Sequence, residues 1–129
     1  MKVIILSLIM SAMATAAMAD NVMTKTGDTY IVNTTTLCST KGFKGTTPLE
    51  VHIQDGKVVK IVSLKNMESR GYYARVKKEV ISKYDNLKVS KAKKLSSHPD
   101  VDGFTGATYS TRAVQDNIHA ALVYYEKNK

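Results

Sequence analysis

The centre of the chain alternates hydrophobic and polar residues in the way of a half-buried β-hairpin. Every second residue of 49–54 is hydrophobic, and hydrophobic residues recur along 57–64. Asp55-Gly56, between the two runs, favours a tight hairpin turn, because both residues tolerate positive φ angles. The pattern predicts two paired antiparallel strands with one face in the core.

Two later segments repeat their hydrophobic residues at the spacing of an α-helix. Residues 71–84 carry Tyr73, Val76 and Val80 at this spacing, and residues 110–125 carry a longer apolar stripe. The stripe consists of Val114, Ile118, Ala121, Leu122 and Tyr125. It predicts a helix that anchors the end of the chain on the sheet.

Further segments complete the predicted architecture. Residues 28–37 are rich in Tyr, Ile, Val and Thr, which favours a strand, and 87–89 form a second, shorter candidate strand. Residues 20–27 are polar and are expected to be frayed. Residues 41–48 are expected to form a loop, because they contain two glycines and a proline. The predicted fold class is α+β: a single small domain with an antiparallel sheet and about two helices.

The first 19 residues are predicted to lie outside this fold. Met1-Lys2 supplies a charged start, residues 3–10 an apolar core too short to span a membrane, and Ala17-Met18-Ala19 a small-x-small cleavage signal. This pattern is typical of a secretory signal peptide that is cleaved after Ala19. Residues 20–129 would then form one domain in the periplasm or another extracytoplasmic space.

The chain is basic, which narrows the classes of ligand and partner. It has 19 basic and 11 acidic residues, a net charge of +8, and loss of the signal peptide with Lys2 would leave +7. A basic chain suits an anionic ligand or an acidic partner. Nucleic acid is not expected, because the chain is predicted to be exported and has no basic stretches interleaved with aromatic residues. Lys88, Lys91, Lys93 and Lys94 form either a solvated face or a docking surface for an acidic partner.

Metal and hydrolytic chemistry are not expected from the residues present. Cys38 is the only cysteine, so no internal disulfide can form, and His52, His98 and His119 lack the spacing of zinc ligands. No set of serine, histidine and aspartate and no pair of carboxylates stands out as a hydrolytic centre. We therefore assign no metal ligand and no catalytic residue, and we expect Cys38 to be buried.

A glycine-bearing loop leads directly into the last predicted helix and carries the strongest chemical signal. It consists of Asp102-Gly103-Phe104-Thr105-Gly106-Ala107-Thr108. A helix N-terminus has unpaired N–H groups and a partial positive charge, so it favours phosphate or another anion. Gly103 and Gly106 would let the backbone approach such a ligand closely. The loop hydroxyls could instead cap the helix by accepting from its first N–H groups.

The loop resembles the flavinylation motif of small FMN-binding domains, in which Asp and two variable residues precede Ser/Thr-Gly-Ala-Thr/Ser. The matching residues are Asp102, Thr105, Gly106, Ala107 and Thr108. FMN-carrying subunits of Na+-translocating NADH:quinone reductase and of Rnf-type complexes have a similar loop. The resemblance implies that a separate, Mg-dependent FMN transferase uses FAD to attach FMN to Thr108 through a phosphoester. The other four residues would be its recognition element, with Thr105 bracing the loop.

The same resemblance extends over roughly residues 41–125. Phe43-Lys44-Gly45 is similar to the Gly-rich opening of the family. Glu68-Ser69 stands where the family has a Glu-Thr-Pro-Gly loop, although Arg70-Gly71 replaces the Pro-Gly part. The resemblance implies that Glu68 and Ser69 also contact the cofactor.

Residues next to these motifs are further candidates for cofactor contacts. Tyr109 and Ser110 follow the attachment point, and Tyr72 and Tyr73 follow the Glu68 loop. A tyrosine ring of the second pair either borders the isoalloxazine or packs in the core and at its rim.

Two functions from different classes remain open. In the first, the protein is an extracytoplasmic flavoprotein that carries electrons between redox partners, which can be membrane-bound, and the covalent FMN supplies the chemistry. In the second, it is a non-redox binding module that holds an anionic ligand at the N-terminus of the last helix. We expect the first function, because the complete motif directly precedes a helix.

Overall fold

The computed structural model describes residues 22–97 and 108–129. Four strands form one antiparallel sheet in chain order: β1 (Met23–Thr26), β2 (Thr29–Asn33), β3 (Leu49–Gln54) and β4 (Lys57–Ser63). Three α-helices follow: α1 (Arg70–Glu79), α2 (Val89–Ser96) and α3 (Thr108–Asn128), with a 3₁₀ turn at Ile81–Tyr84 between α1 and α2. The predicted α+β class with an antiparallel sheet is confirmed, and it contains three helices where about two were expected.

The hairpin of β3 and β4 forms where the alternation predicts it. Asp55 and Gly56 both have positive φ angles, 52° and 73°, as a tight hairpin turn requires. The strand register shifts between His52 and Ile53, so that the consecutive hydrophobic residues Val58 and Val59 have different environments. Val58 is fully buried, whereas Val59 is exposed.

Two predictions for the start of the chain are wrong. Residues 20–27 were expected to be frayed, but β1 occupies Met23–Thr26 and pairs with β2 through a turn in which Gly27 has a φ of 62°. The strand expected over 28–37 ends at Asn33. The Asn33 side chain accepts hydrogen bonds from the Thr35 N–H and hydroxyl, and this local turn competes with continuation of the strand.

Two boundaries between α1 and α2 also differ from the prediction. The helix expected over 71–84 ends as an α-helix at Glu79, and the chain tightens into the 3₁₀ turn. The strand expected over 87–89 is wrong, because only Lys88 forms a bridge, with Lys57, before α2 begins at Val89. A single bridge satisfies too few backbone groups to extend the sheet.

Helix α3 buries the predicted stripe and extends beyond it at both ends. All five stripe residues are buried in one hydrophobic core with the inward side chains of β2, β3 and β4. Each buried Val, Leu or Ile stabilises the fold by about 1.5–3 kcal/mol, so this stripe holds α3 firmly on the sheet. Within the described chain, no helix is both long and apolar enough to cross a membrane.

A buried polar network joins α3 to the segment between β2 and β3. Asn117, which is 1% exposed, donates to the Ala113 carbonyl at 2.8 Å and accepts from the Thr34 hydroxyl. The Thr34 oxygen in turn accepts from the Leu49 N–H at 2.9 Å. The network therefore fixes the ends of this segment against the helix.

Asn117→Ala should lower the free energy of unfolding by about 1–3 kcal/mol, because it leaves buried partners of the amide unsatisfied. Asn128 is a matched control on the same helix, since its amide also donates to the carbonyl four residues before it but is exposed. Asn128→Ala should change stability by less than about 0.5 kcal/mol. Urea unfolding measures both values, and equal losses would contradict a structural role for the buried network.

Tyr84 is fully buried beside this core. Its hydroxyl has no hydrogen-bond partner of normal geometry within the described chain. Burial raises the pKa of Tyr84 above its ordinary value of 10.0, and the nearby Gln115 side chain offsets this only in part. The folded protein therefore favours the neutral phenol more strongly than the unfolded chain does.

Because the pKa of Tyr84 is higher in the folded state, its neutral hydroxyl supports folding fully below a pH of about 10 and less as the pH rises further. Tyr84→Phe should reduce the loss of stability at alkaline pH and change stability at pH 7 by less than about 1 kcal/mol, since no hydrogen bond is lost. Urea unfolding between pH 7 and 11 measures this effect. An alkaline slope identical to wild type would refute it.

Candidate functional site

The structure describes some of the predicted site residues and not others. Asp102, Thr105, Gly106 and Ala107 lie outside the described residues, so their roles stay predictions. Thr108 is the first residue of α3. The predicted attachment point therefore coincides with the N-terminus of the longest helix.

Glu68 and Ser110, both predicted cofactor contacts, meet in the fold. Glu68 lies in the loop between β4 and α1, and Ser110 lies in the first turn of α3, where it is fully buried. The Ser110 hydroxyl donates to the Glu68 carboxylate across a sequence separation of 42 residues. This contact joins the loop before α1 to the start of α3.

The Glu68 carboxylate also holds a second loop. It accepts from the Lys44 N–H at 2.7 Å and from the Phe43 N–H at 3.2 Å. Hydrogen bonds from N–H groups to an ionised carboxylate are stronger than those between neutral groups. We call the carboxylate of Glu68 with these two N–H groups and the Ser110 hydroxyl the Glu68 clamp.

Gly42 packs closely against the carboxylate of the clamp. A Cβ atom there would lie 3.1–3.2 Å from the carboxylate atoms of Glu68, closer than ordinary van der Waals contact. The Gly42 N–H also donates to the Gly45 carbonyl at 2.7 Å, which closes the loop tightly. A side chain at position 42 would push the carboxylate away from its donors.

Exposed apolar side chains belong to the clamp residues, to their neighbours in the chain, or to a ring packed against them. Of the five large hydrophobic side chains exposed in the described chain, four adjoin Glu68 or the residues that contact it, and the fifth is Val59. We call these four the apolar rim: Phe43, Met67, Tyr72 and Tyr109. The rings of Phe43 and Tyr72 pack edge to face, with centroids 6.5 Å apart. Apolar side chains exposed together around polar groups mark a binding surface.

The two neighbouring tyrosines have different environments. Tyr73 is buried in the core, and its hydroxyl lies 3.1 Å from the Ser63 hydroxyl. Burial raises the pKa of Tyr73, the Ser63 contact lowers it, and the charge of Glu68 raises it. Tyr72 is 41% exposed and belongs to the apolar rim. Only Tyr72 is therefore placed to touch a ligand without displacing core contacts.

The hydrogen bonding of Ser69 and Thr111 could not be predicted from the sequence pattern. Ser69 precedes α1, where its carbonyl accepts from the Tyr73 N–H at 2.9 Å and its side chain makes no capping bond. Thr111 is 1% exposed in the first turn of α3, and its hydroxyl has no hydrogen-bond partner among the described residues. A buried hydroxyl without a partner is unfavourable, so this end of α3 has spare hydrogen-bonding capacity.

Sequence reasoning missed several contributors to the site. It noted Gly42 only as part of a loop and Phe43 only within the Gly-rich opening that resembles the family, and it did not single out Met67 or Thr111. No local signal identifies them, because each becomes relevant through contacts with distant segments. Cys38, expected to be buried, is half-buried with a free thiol. In the described chain, no three acidic, histidine or cysteine side chains group as metal ligands.

Glu68→Ala should lower the free energy of unfolding by about 1–3 kcal/mol, because two N–H groups and a hydroxyl lose their acceptor. Glu50→Ala is the control: Glu50 pairs with His52 at 3.3 Å on a partly exposed surface, and its loss should cost less than about 1 kcal/mol.

Gly42→Ala should destabilise wild type but have a smaller effect in the Glu68→Ala background, because its close contact is then absent. A double-mutant cycle from urea unfolding measures this coupling. Strictly additive effects would contradict the close packing of Gly42 against Glu68.

Comparison with known proteins identifies the family of the segment that carries this site. The family model described as FMN-binding domain matches residues 42–123, which include the glycine loop, the Glu68 clamp and the first turns of α3. No curated protein and no solved structure matches the chain significantly. Since the match covers most of the chain, the chain belongs to the FMN-binding domain family.

Proposed function

We propose that this protein is an extracytoplasmic electron carrier that holds FMN through a phosphoester to Thr108. The observation that carries the proposal is that Thr108, the last residue of the motif, begins α3 inside the segment that matches the FMN-binding domain. FMN binding follows from the family. The linkage, the location and the electron-carrier role are the parts that we propose.

The start of α3 suits the phosphate of FMN. The first turn contains no acidic residue, so the helix dipole and free N–H groups favour an anion there. The buried Thr111 hydroxyl has no partner among residues 22–97 and 108–129, and it is a candidate donor in the same turn. Glu68 brings a negative charge to this end, and its three hydrogen-bond donors stabilise that charge.

The apolar rim suits the isoalloxazine ring. Phe43 and Tyr72 present exposed aromatic surface beside the clamp, and Met67 and Tyr109 add apolar surface around it. A simple anion site would have no use for four exposed apolar side chains, so the rim favours FMN over the non-redox binding module. Bound FMN can transfer one or two electrons, while the protein attaches it, orients it and leaves an edge open to a partner.

Attachment by a separate FMN transferase agrees with the side chains near α3. A self-catalysed reaction would need a base to activate the threonine hydroxyl. Among the described residues, the acidic group that contacts the first turn of α3 is Glu68, and its carboxylate already accepts three hydrogen bonds. We therefore assign activation to the transferase, with Asp102 and Thr105-Gly106-Ala107 as its recognition element.

Export is proposed from the first 19 residues, which have the pattern of a signal peptide cleaved after Ala19. Covalent attachment suits an extracytoplasmic carrier, because FMN lost there cannot be replaced locally. The partners would be redox proteins, including membrane-bound ones.

Wild type co-expressed with an FMN transferase should have the mass of residues 20–129 plus FMN less one water, and it should fluoresce on a denaturing gel. Thr108→Val should fold but remain unlabelled, because it lacks the oxygen that forms the ester. Thr24→Val makes the same change at an exposed position on β1, which has no role in the proposed site, and should still be labelled.

Labelling of Thr108→Val at the wild-type level would exclude Thr108 as the attachment point. Wild type that never labels would exclude covalent attachment, and a mass that still includes residues 1–19 would exclude cleavage after Ala19. Visible absorbance separates the two functions: colourless protein from its native envelope would support the non-redox module.

A further inference from the structure

The excess positive charge of the protein lies in one segment. Residues 70–97, which include α1 and α2, contain nine basic and two acidic residues. The rest of residues 20–129 contains nine basic and nine acidic residues. The basic and acidic residues are therefore equal in number outside residues 70–97, and the strongly basic segment begins two residues after Glu68.

The first part of this segment borders the candidate site. Arg70 and Lys77 lie two turns apart on one face of α1, with Ala74 between them, and all three are exposed. They line a cleft of about 280 Å³ together with Asn66, Glu68 and Tyr73. Glu68 of the clamp thus lines the same cleft as the two cations Arg70 and Lys77.

Neither cation forms an ion pair with another described residue. The ion pairs of the described chain are Glu50 with His52, Arg75 with Glu79, and Lys93 with Glu126, so neither Arg70 nor Lys77 takes part. Glu68 shares their cleft, but its carboxylate is held by Phe43, Lys44 and Ser110. The positive potential of the cleft is therefore available to an external anion.

The position of Arg70 is unfavourable for helix stability. Arg70 is the first residue of α1, whose first turn has no acidic residue. The positive end of a helix favours Asp or Glu and disfavours a cation. A residue that disfavours the local structure, as Arg70 does here, is expected where a function requires it.

We propose that the α1 face formed by Arg70, Ala74 and Lys77 docks an acidic surface of a protein redox partner, with a partner carboxylate in the cleft. This proposal rests on the proposed electron-carrier function. An electron carrier must meet its partner quickly and separate again, and charge complementarity raises the rate of encounter more than it raises affinity.

The shape of this face favours a protein over a membrane. The cleft is concave and has room for one or two acidic side chains, whereas a bilayer presents a broad layer of headgroups. Peripheral membrane binding combines basic residues with inserted apolar side chains. The exposed residues between Arg70 and Lys78 include a single large apolar side chain, Tyr72, which already packs against Phe43.

The test uses a fluorescein-labelled, glutamate-rich peptide of about 15 residues as the probe, with anisotropy as the readout at low and physiological salt. The double substitution Arg70→Glu with Lys77→Glu should weaken peptide binding by about tenfold, because it replaces two attractions with two repulsions. The control is Lys60→Glu with Lys127→Glu, which changes the net charge equally at exposed positions on β4 and at the end of α3. The control should weaken binding by less than about threefold.

Folding can be checked independently of binding. Arg70→Glu alone should not lower the melting temperature, because it places an acidic residue at the positive end of α1. A weaker complex with an unchanged melting temperature would therefore reflect the cleft and not unfolding.

Three outcomes would overturn the docking proposal. The first is equal loss of binding in the control variant, which would assign the attraction to net charge. The second is co-sedimentation with phosphatidylglycerol vesicles, abolished by the α1 substitutions, without peptide binding. The third is binding of free succinate but not of the peptide, which would indicate a small-molecule site.

The proposed function is tested separately, because the peptide is measured with both unlabelled and FMN-loaded protein. Cleft-dependent peptide binding by a protein that never takes up FMN would overturn the carrier function and leave an acidic-partner surface. FMN-loaded protein without cleft-dependent binding would overturn the docking surface alone.

Discussion

The candidate site depends on one carboxylate. Glu68 accepts from two backbone N–H groups of the loop at 43–44 and from the Ser110 hydroxyl in the first turn of α3. Glu68 and its partners thus come from three separate segments of the chain. Because an ionised acceptor binds such donors strongly, one side chain can hold the loops together. The clamp also fixes the backbone of Phe43, whose ring packs against Tyr72 in the apolar rim.

The clamp in turn requires α3 to be held firmly on the sheet. The apolar stripe of the helix supplies most of the attachment, and the amide of Asn117 fixes the same helix to the segment between β2 and β3. That segment also carries the loop at 42–45. The start of α3 and the loop therefore belong to one packed unit.

The distribution of charged residues agrees with the proposed role as an electron carrier. The excess of basic residues lies in the segment of α1 and α2. At the clamp and the apolar rim, the acidic side chain is Glu68, which accepts hydrogen bonds, and the rim side chains are apolar. In the proposed function, these two surfaces have different tasks. The rim would hold the flavin ring, and the neighbouring basic face would orient an acidic partner towards it.

The sequence alone determined the features that depend on neighbouring residues. Alternation and Asp55-Gly56 predicted the central hairpin, and the apolar stripe predicted α3. The loop before that helix pointed to the FMN-binding family, to which the chain belongs. These predictions succeed because each depends on residues that are close in the chain.

Only the tertiary structure decided where strands end and which loops meet. A single bridge from Lys88 to Lys57 replaced a predicted strand, whereas the early end of β2 follows from a local turn at Asn33. Glu68 and Ser110 were both candidates from the sequence, but their contact spans 42 residues and requires α3 to pack on the sheet. Phe43 and Tyr72 likewise meet only in the folded chain. Local patterns report which face of an element is buried, whereas the approach of two distant loops depends on packing across the whole core.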